Sequence, residues 1–267
     1  MSGIHTFDNG VKVYDSHLMP AQRERYRERN VHEADEEDIF TDIIAAIPAD
    51  GRYVNIGSAI GYYVILARKL SPELDVHAVE PLERFRSYFR ENLLLNGLTE
   101  DDITVHPLGV SGKQGRTVFV AKGFESRVVQ DEEQSLSLRR LINTTRDVIK
   151  VLLGKLGVKR YAEGAGEQTV IDSITLDTLV DRVGSPIDVV QMDVQGLETA
   201  ILGSGKASLE SSSIRTFIIG THGKRIHQQC LDMLTDSGYE IEYEEAHTPH
   251  QPDGIIVASK GGRRLAA

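Results

Sequence analysis

The chain reads as an α/β protein built on a mostly parallel sheet, and three observations predict it. Short apolar runs alternate with amphipathic helical stretches. A glycine-rich turn follows the first of those runs directly. The last two strand-like runs have no helix between them, so they must be antiparallel neighbours. About seven strands are expected, the last of them antiparallel.

The elements follow in order. Residues 1–34 are polar and weakly patterned and read as an N-terminal arm, with a solvated helix over Gln22–Arg29. Asp35–Ile47 reads as a helix. Acids fill its first turn, where the helix dipole favours them, and Ile39, Phe40, Ile43, Ile44 and Ile47 share a face. Tyr53–Ile56 is the first strand, Tyr62–Leu70 a helix and Val76–Val79 the second strand. Leu82–Asn96 is a helix with Phe85, Phe89, Leu93 and Leu94 inward and Gly97 beyond its end. Ile103–His106 is the third strand.

The alternation pauses at about 121–168, which reads as an insertion. Within it, Gln134–Val158 predicts amphipathic helices carrying Arg139, Arg140, Arg146, Lys150 and Lys155. A packed hairpin with a basic outer face and a lid over an anionic substrate are both open readings. Strands resume at Ile187–Met192 and Arg215–Ile219, with helices from Leu197 and over Arg225–Ser237. Tyr239–Glu244 and Gly254–Ser259 are the closing strands, and 260–267 is a tail. The organisation expected is therefore an arm, one domain over 35–259 and a tail.

Composition narrows the function. Thirty basic against forty acidic residues leave a net charge of −10, which repels phosphate backbones and makes nucleic acid an unfavoured partner. A lone Cys230 excludes an internal disulfide, a cysteine zinc cluster and an iron–sulfur site. No apolar run reaches the roughly 18 residues of a membrane span, and no signal-peptide pattern opens the chain, so a cytoplasmic location without membrane attachment is the expectation.

Four features carry chemistry. In Val54-Asn-Ile-Gly-Ser-Ala-Ile-Gly-Tyr62, Gly57 permits a tight turn off the strand. Gly61 permits a ligand to approach the following helix start, where N–H groups point outward. Plain helix–strand packing is the alternative for this G-x-x-x-G, and the segment is neither the G-x-G-x-x-G dinucleotide fingerprint nor a P-loop. Glu80 closes the second strand, where a carboxylate can accept both hydroxyls of an adenosine ribose; the plainer reading is a first-turn acid before Pro81. Asp193 and Glu198 follow the long strand ending at Met192, and His222 follows the next, at the sheet edge where ligands bind. Capping the following helix is the plain alternative for Asp193, a first-turn acid for Glu198 and a satisfied structural histidine for His222. Asp193, Glu198 and His222 are candidates for a metal such as Mg²⁺. His247 and His250 read as loop histidines.

The runs VNIGSAIGYYVILARKL, HAVEPLERFRSYFRENLLLNGL, HPLGVSGKQG, ITLDTL, IDVVQMDVQGLETAILGSG and FIIGTHG resemble, in order, the FkbM-type methyltransferases over roughly residues 35–259. The resemblance implies a Rossmann-like class I methyltransferase fold, with S-adenosylmethionine as cofactor. It implies that Gly57, Ser58 and Gly61 wrap the cofactor's methionine portion and that Glu80 holds the ribose. Leu108, Gly109 and Val110 would lie near adenine. Asp193 would sit beside the cofactor's amino group or the methyl acceptor, and His222 would face the acceptor. Two positions depart from the family pattern. Asn55 stands where an acid is usual, and Ile60 where Asn is usual, so Asn55 can meet the cofactor without charge and Asp193 carries more of the grip.

The activity expected is O-methylation of a hydroxyl on a small molecule, a sugar or a secondary metabolite, with His222 and Asp193 as catalytic residues. A nicotinamide- or nucleotide-sugar-dependent oxidoreductase and a non-catalytic partner-binding domain are the rival readings. Self-association through the apolar face of 134–158 is open.

Overall fold

The computed structural model of the chain describes residues 3–122, 125–129, 167–247 and 253–261. It divides into two compact units, Met1–Gly115 with Asp172–Ala267, and Arg116–Ile171.

The first unit holds a seven-stranded sheet. Its strands are β3 (Arg52–Ile56), β4 (Asp75–Val79), β5 (Thr104–His106), β10 (Ile187–Met192), β11 (Ile214–Thr221), β12 (Glu240–Glu245) and β13 (Gly254–Ser259). Their spatial order is β12-β13-β11-β10-β3-β4-β5. Neighbours from β11 to β5 are parallel, and β13 is antiparallel to both β11 and β12. Seven strands, an alternating chain path and an antiparallel last strand are thus as the sequence predicts. Every residue of β10 and of β13 is buried, as expected of strands covered on both faces. Strand order reverses between β3 and β10, and a doubly wound sheet opens a ligand crevice at the carboxyl ends of the strands there.

The helices covering this sheet bury the faces their periodicity marks. In α2 (Ala34–Ala46) these are Phe40, Ile43 and Ile44. Helix α3 (Tyr62–Leu70) buries everything from Tyr62 to Ala67. In α4 (Glu83–Leu95), Phe85, Phe89, Asn92 and Leu93 face inward. Leu94, expected inward, is 67% exposed, because a one-residue step from Leu93 turns the side chain about 100° off the buried stripe. Later helices are α5 (Leu176–Val183), α6 (Glu198–Gly203), α7 (Lys206–Glu210) and α8 (Lys224–Asp236). Helix α5 starts where the Thr175 side chain accepts the backbone N–H of Thr178.

Two regions differ from the sequence reading. Residues 4–28, read as a polar arm, form an antiparallel pair β1 (Ile4–Thr6) and β2 (Lys12–Tyr14) and helix α1 (Pro20–Glu28). Phe7, Val11, Val13, Leu18 and Tyr26 are buried there, and the Phe7 ring packs 4.7 Å from the Tyr62 ring. Three-residue strands are too short to show an alternation, which is why this packing is hidden in the sequence. The second difference is at the pause. Strands β7 (Gly115–Lys122) and β8 (Glu125–Val129) form an antiparallel pair, and β9 (Glu167–Ile174) leads back into the first unit. There the end of β9 pairs in parallel with β6 (Gly109–Val110). The helices expected over Gln134–Val158 lie outside the described residues. Among the described residues, no helix is long and apolar enough to cross a membrane.

Candidate active site

The glycine turn leaves β3 with backbone that only glycine adopts freely. Gly57 has φ +90° and Gly61 φ +86°, and Ala59 between them is left-handed as well, at +44°. The space beside each glycine is taken by the protein. A Cβ on Gly57 would stand 2.3 Å from the backbone oxygen of Asp193, and one on Gly61 would stand 2.0 Å from the Phe89 ring. Gly61 therefore packs against α4, the alternative that the sequence leaves open beside ligand approach. The N–H groups of Gly57 and Ser58 both donate to the Val79 carbonyl, which fastens the turn to the end of β4. The Ser58 hydroxyl donates to the Asn55 carbonyl at 3.0 Å.

Glu80 points into this turn. Its Oε2 accepts the Ala59 N–H at 3.0 Å, and its Oε1 accepts the Leu82 N–H at 2.8 Å. Each carboxylate oxygen has two lone pairs, so both retain capacity for a further donor. Glu80 is only 4% exposed, and burial pushes its carboxyl up to about 7 despite those two N–H groups and Arg86. A buried carboxylate with one acceptor position left on each oxygen, beside a left-handed turn, fits the two hydroxyls of a ribose.

Asn55 is engaged elsewhere. Its amide donates to Gln191 Oε1 at 3.2 Å, the same oxygen that accepts the Tyr53 hydroxyl at 2.5 Å. Gln191 in turn donates to Glu36 at 2.5 Å, a buried acid that burial and neighbouring Glu33 hold well above the ordinary carboxylate range. The register Gln191↔Asn55 across β10 and β3 sets this network beneath the crevice. Leu108 and Val110 belong to the hydrophobic core with Val79 and Ile174, and Gly109 pairs with Ser173.

The second half of the site lies one strand over. Asp193 follows β10, His222 follows β11, and Asp253 immediately precedes β13. Because β13 runs antiparallel, its beginning lies at the same edge as the carboxyl ends of β10 and β11. The His222 Nε2 is 3.2 Å from Asp253 Oδ1 and 3.4 Å from Asp193 Oδ1. Its Nδ1 is 2.7 Å from Oε1 of Glu198, whose side chain is fully buried at the start of α6.

Burial disfavours the imidazolium, but the Glu198 hydrogen bond and the Asp193 and Asp253 charges outweigh it and push His222 up to about 9. Desolvation and the neighbouring Glu33, Asp253 and Glu198 push Asp193 up to about 7 against the pull of His222. Desolvation likewise raises Glu33, which accepts a hydrogen bond from the Tyr63 hydroxyl at 3.2 Å.

The sequence names Asp193, Glu198 and His222 as candidates for one set without establishing that they converge, and the structure brings them together. The sequence reading misses Asp253 and Glu33. The signal for Asp253 was available, because an antiparallel last strand must begin at the ligand edge. Glu33 carries none, since it lies just before α2, outside the apolar periodicity that marks that helix's buried face. His247 is exposed, and His250 lies outside the described residues.

The profile of the family described as methyltransferase FkbM domain matches residues 55–241, more than half of the chain. Methyltransferase sdnD of Sordaria araneosa is 24% identical over 230 residues, covering 84% of this chain and 88% of that protein. A putative methyltransferase of Jannaschia sp. (strain CCS1) is 31% identical over 83 residues, which span 31% of this chain and only 29% of the relative. Among solved structures, a methyltransferase FkbM from Methylobacillus flagellatus KT superposes with a TM-score of 0.50 at 15% identity. That match covers 79% of this chain and 44% of the other. The family match lends no support to the oxidoreductase and non-catalytic readings. The chain belongs to the FkbM methyltransferase domain family.

Proposed function

We propose that the protein methylates a hydroxyl of a small molecule, a sugar or a hydroxylated secondary metabolite. The observation that carries this reading is the placement of Asp193 and His222 at the edge shared with the Gly57–Gly61 turn and Glu80. Asp193 is tied to that turn directly, its N–H donating to the Ile56 carbonyl at 3.2 Å.

When bound, S-adenosylmethionine supplies an electrophilic methyl on a sulfonium sulfur. Glu80 would hold the ribose hydroxyls, and the turn from Gly57 to Gly61 would bracket the methionine portion. The cofactor would donate that methyl to the acceptor oxygen, the sulfur keeping the bonding electrons. The hydroxyl proton leaves to the carboxylates around His222, with Asp193 the nearest to the glycine turn. An alcohol is a poor nucleophile until that proton is drawn away, so the site's main contribution is positioning together with proton removal. The net charge of −10 supports an acceptor other than a nucleic acid.

The test has two arms. Calorimetric titration with S-adenosylhomocysteine is expected to show one site per chain, and absence of binding at millimolar ligand defeats the cofactor arm. Transfer of labelled methyl across a panel of hydroxylated small molecules is expected to give an ether product. Labelled amine or carboxylate products alone defeat the hydroxyl arm.

A further inference from the structure

We infer that Asp193, His222 and Asp253 form a divalent-cation site, with Glu198 as the carboxylate that orients the histidine. One ligand atom from each of the three lies within 4.8 Å of the other two. Donors bonded at about 2.1 Å to one octahedral ion stand about 3 Å apart, and Nε2 stands 3.2 and 3.4 Å from the two aspartate oxygens. The topology builds this convergence: three adjacent strands, β10, β11 and β13, each place one ligand at the same edge.

A second observation points to a ligand. His222 Nε2 is shut off from solvent and has no hydrogen-bond partner, although its ring sits between two carboxylates. The other ring nitrogen is already committed to Glu198, a fully buried side chain whose Oε2 also lacks a partner. A histidine held at Nδ1 by a carboxylate, with Nε2 turned between two further carboxylates, has the arrangement that metal-binding imidazoles use once Nε2 gives up its proton to the incoming cation. Two carboxylates and one imidazole suit Mg²⁺ or Mn²⁺. Asp253 thus joins the set that the sequence suggested, and Glu198 moves from ligand to orienting partner.

The role of the site rests on the proposed transfer to a hydroxyl. Three protein ligands leave coordination positions for the acceptor oxygen, and a bound cation acidifies a hydroxyl there.

The cation is tested with Mn²⁺ alone. Full-length protein is stripped with a chelator and titrated, with free Mn²⁺ followed by electron paramagnetic resonance. One Mn²⁺ per chain is expected, with affinity reduced at least tenfold in Asp253→Asn and His222→Ala, and about 10–100-fold in Glu198→Gln. No binding, or binding that all three substitutions leave unchanged, overturns the site. Circular dichroism confirms that each variant is folded. S-adenosylhomocysteine binding by the stripped protein is measured in parallel. Cofactor binding without Mn²⁺ binding removes the cation site and leaves the methyltransferase reading standing, and the reverse result separates them the other way.

Discussion

Glu198 Oε1 lies 2.7 Å from Nδ1 of His222 and also accepts the Gly196 N–H at 3.0 Å, so one buried carboxylate oxygen fixes both the ring and the loop before α6. The ring's remaining nitrogen is thereby aimed between Asp193 and Asp253. Glu198→Ala frees the ring to rotate. Turnover is expected to fall about 10–100-fold with S-adenosylhomocysteine affinity unchanged, because Glu198 touches nothing in the glycine turn. Steady-state kinetics beside calorimetry checks this; a loss confined to cofactor affinity contradicts it.

His222→Ala is the stronger lesion. It removes the group at the centre of the carboxylate cluster, and a turnover loss of about 10²–10⁴ is expected, again at constant cofactor affinity. Unchanged turnover takes His222 out of the reaction.

Glu80 gives the cofactor a pH dependence. Its carboxyl titrates at about 7 in the folded chain, against an ordinary value of 4.5. The raised acid stabilises the fold in full below 4.5, and that contribution is lost as pH rises through 7. Cofactor binding runs the opposite way. Ribose hydroxyls donate best to the carboxylate, so S-adenosylhomocysteine affinity is expected to climb as pH rises towards 7, by up to about tenfold per pH unit, and then level off. Glu80→Gln flattens the profile at the weaker end. Calorimetry in buffers of different ionisation heat measures the proton released.

Gly57 and Gly97 separate strain from collision. Both have positive φ, +90° and +74°, but nothing lies within 4 Å of a Cβ on Gly97, while one on Gly57 meets the Asp193 backbone. Gly97→Ala is expected to cost about 1–2 kcal/mol, the price of a left-handed alanine alone. Gly57→Ala costs more, because backbone has to move, and the residue displaced is Asp193. Denaturant midpoints rank the two, and only Gly57→Ala is expected to weaken cofactor binding.

What the sequence makes legible follows from periodicity and from strand ends. Buried strands such as Gly254–Ser259 hold continuous apolar runs, and the ligand edge of the parallel strands is marked by the polar residue that follows each one. That suffices to find Glu80, Asp193 and His222. Asp253 escapes because its strand runs backwards, so the telling residue precedes the strand. The packing of Gly61 against Phe89 stays undecided in the sequence because a glycine kept for a neighbour's ring looks there like one kept for a ligand. The N-terminal segment escapes for a third reason: its docking depends on side-chain amides, which have no period.

Asn92 is the clearest of those amides. It is fully buried in α4. Its Oδ1 accepts the Tyr14 N–H at 3.1 Å and lies 3.0 Å from His17 Nδ1, while its Nδ2 donates to the Ile60 carbonyl at 3.0 Å. One side chain thus pins the N-terminal segment and the glycine turn to the same helix. Asn92→Leu is close in volume but leaves the Tyr14 N–H and the Ile60 carbonyl without these partners, at a cost of about 1–3 kcal/mol for each group that stays buried. The released segment is the one that continues into Glu33 and Glu36 at the site. Two changes are therefore expected together: a lower unfolding midpoint, and faster proteolysis between β2 and α2. Proteolysis at the wild-type rate in a destabilised variant shows that Asn92 supports the helix core without holding the N-terminal segment in place.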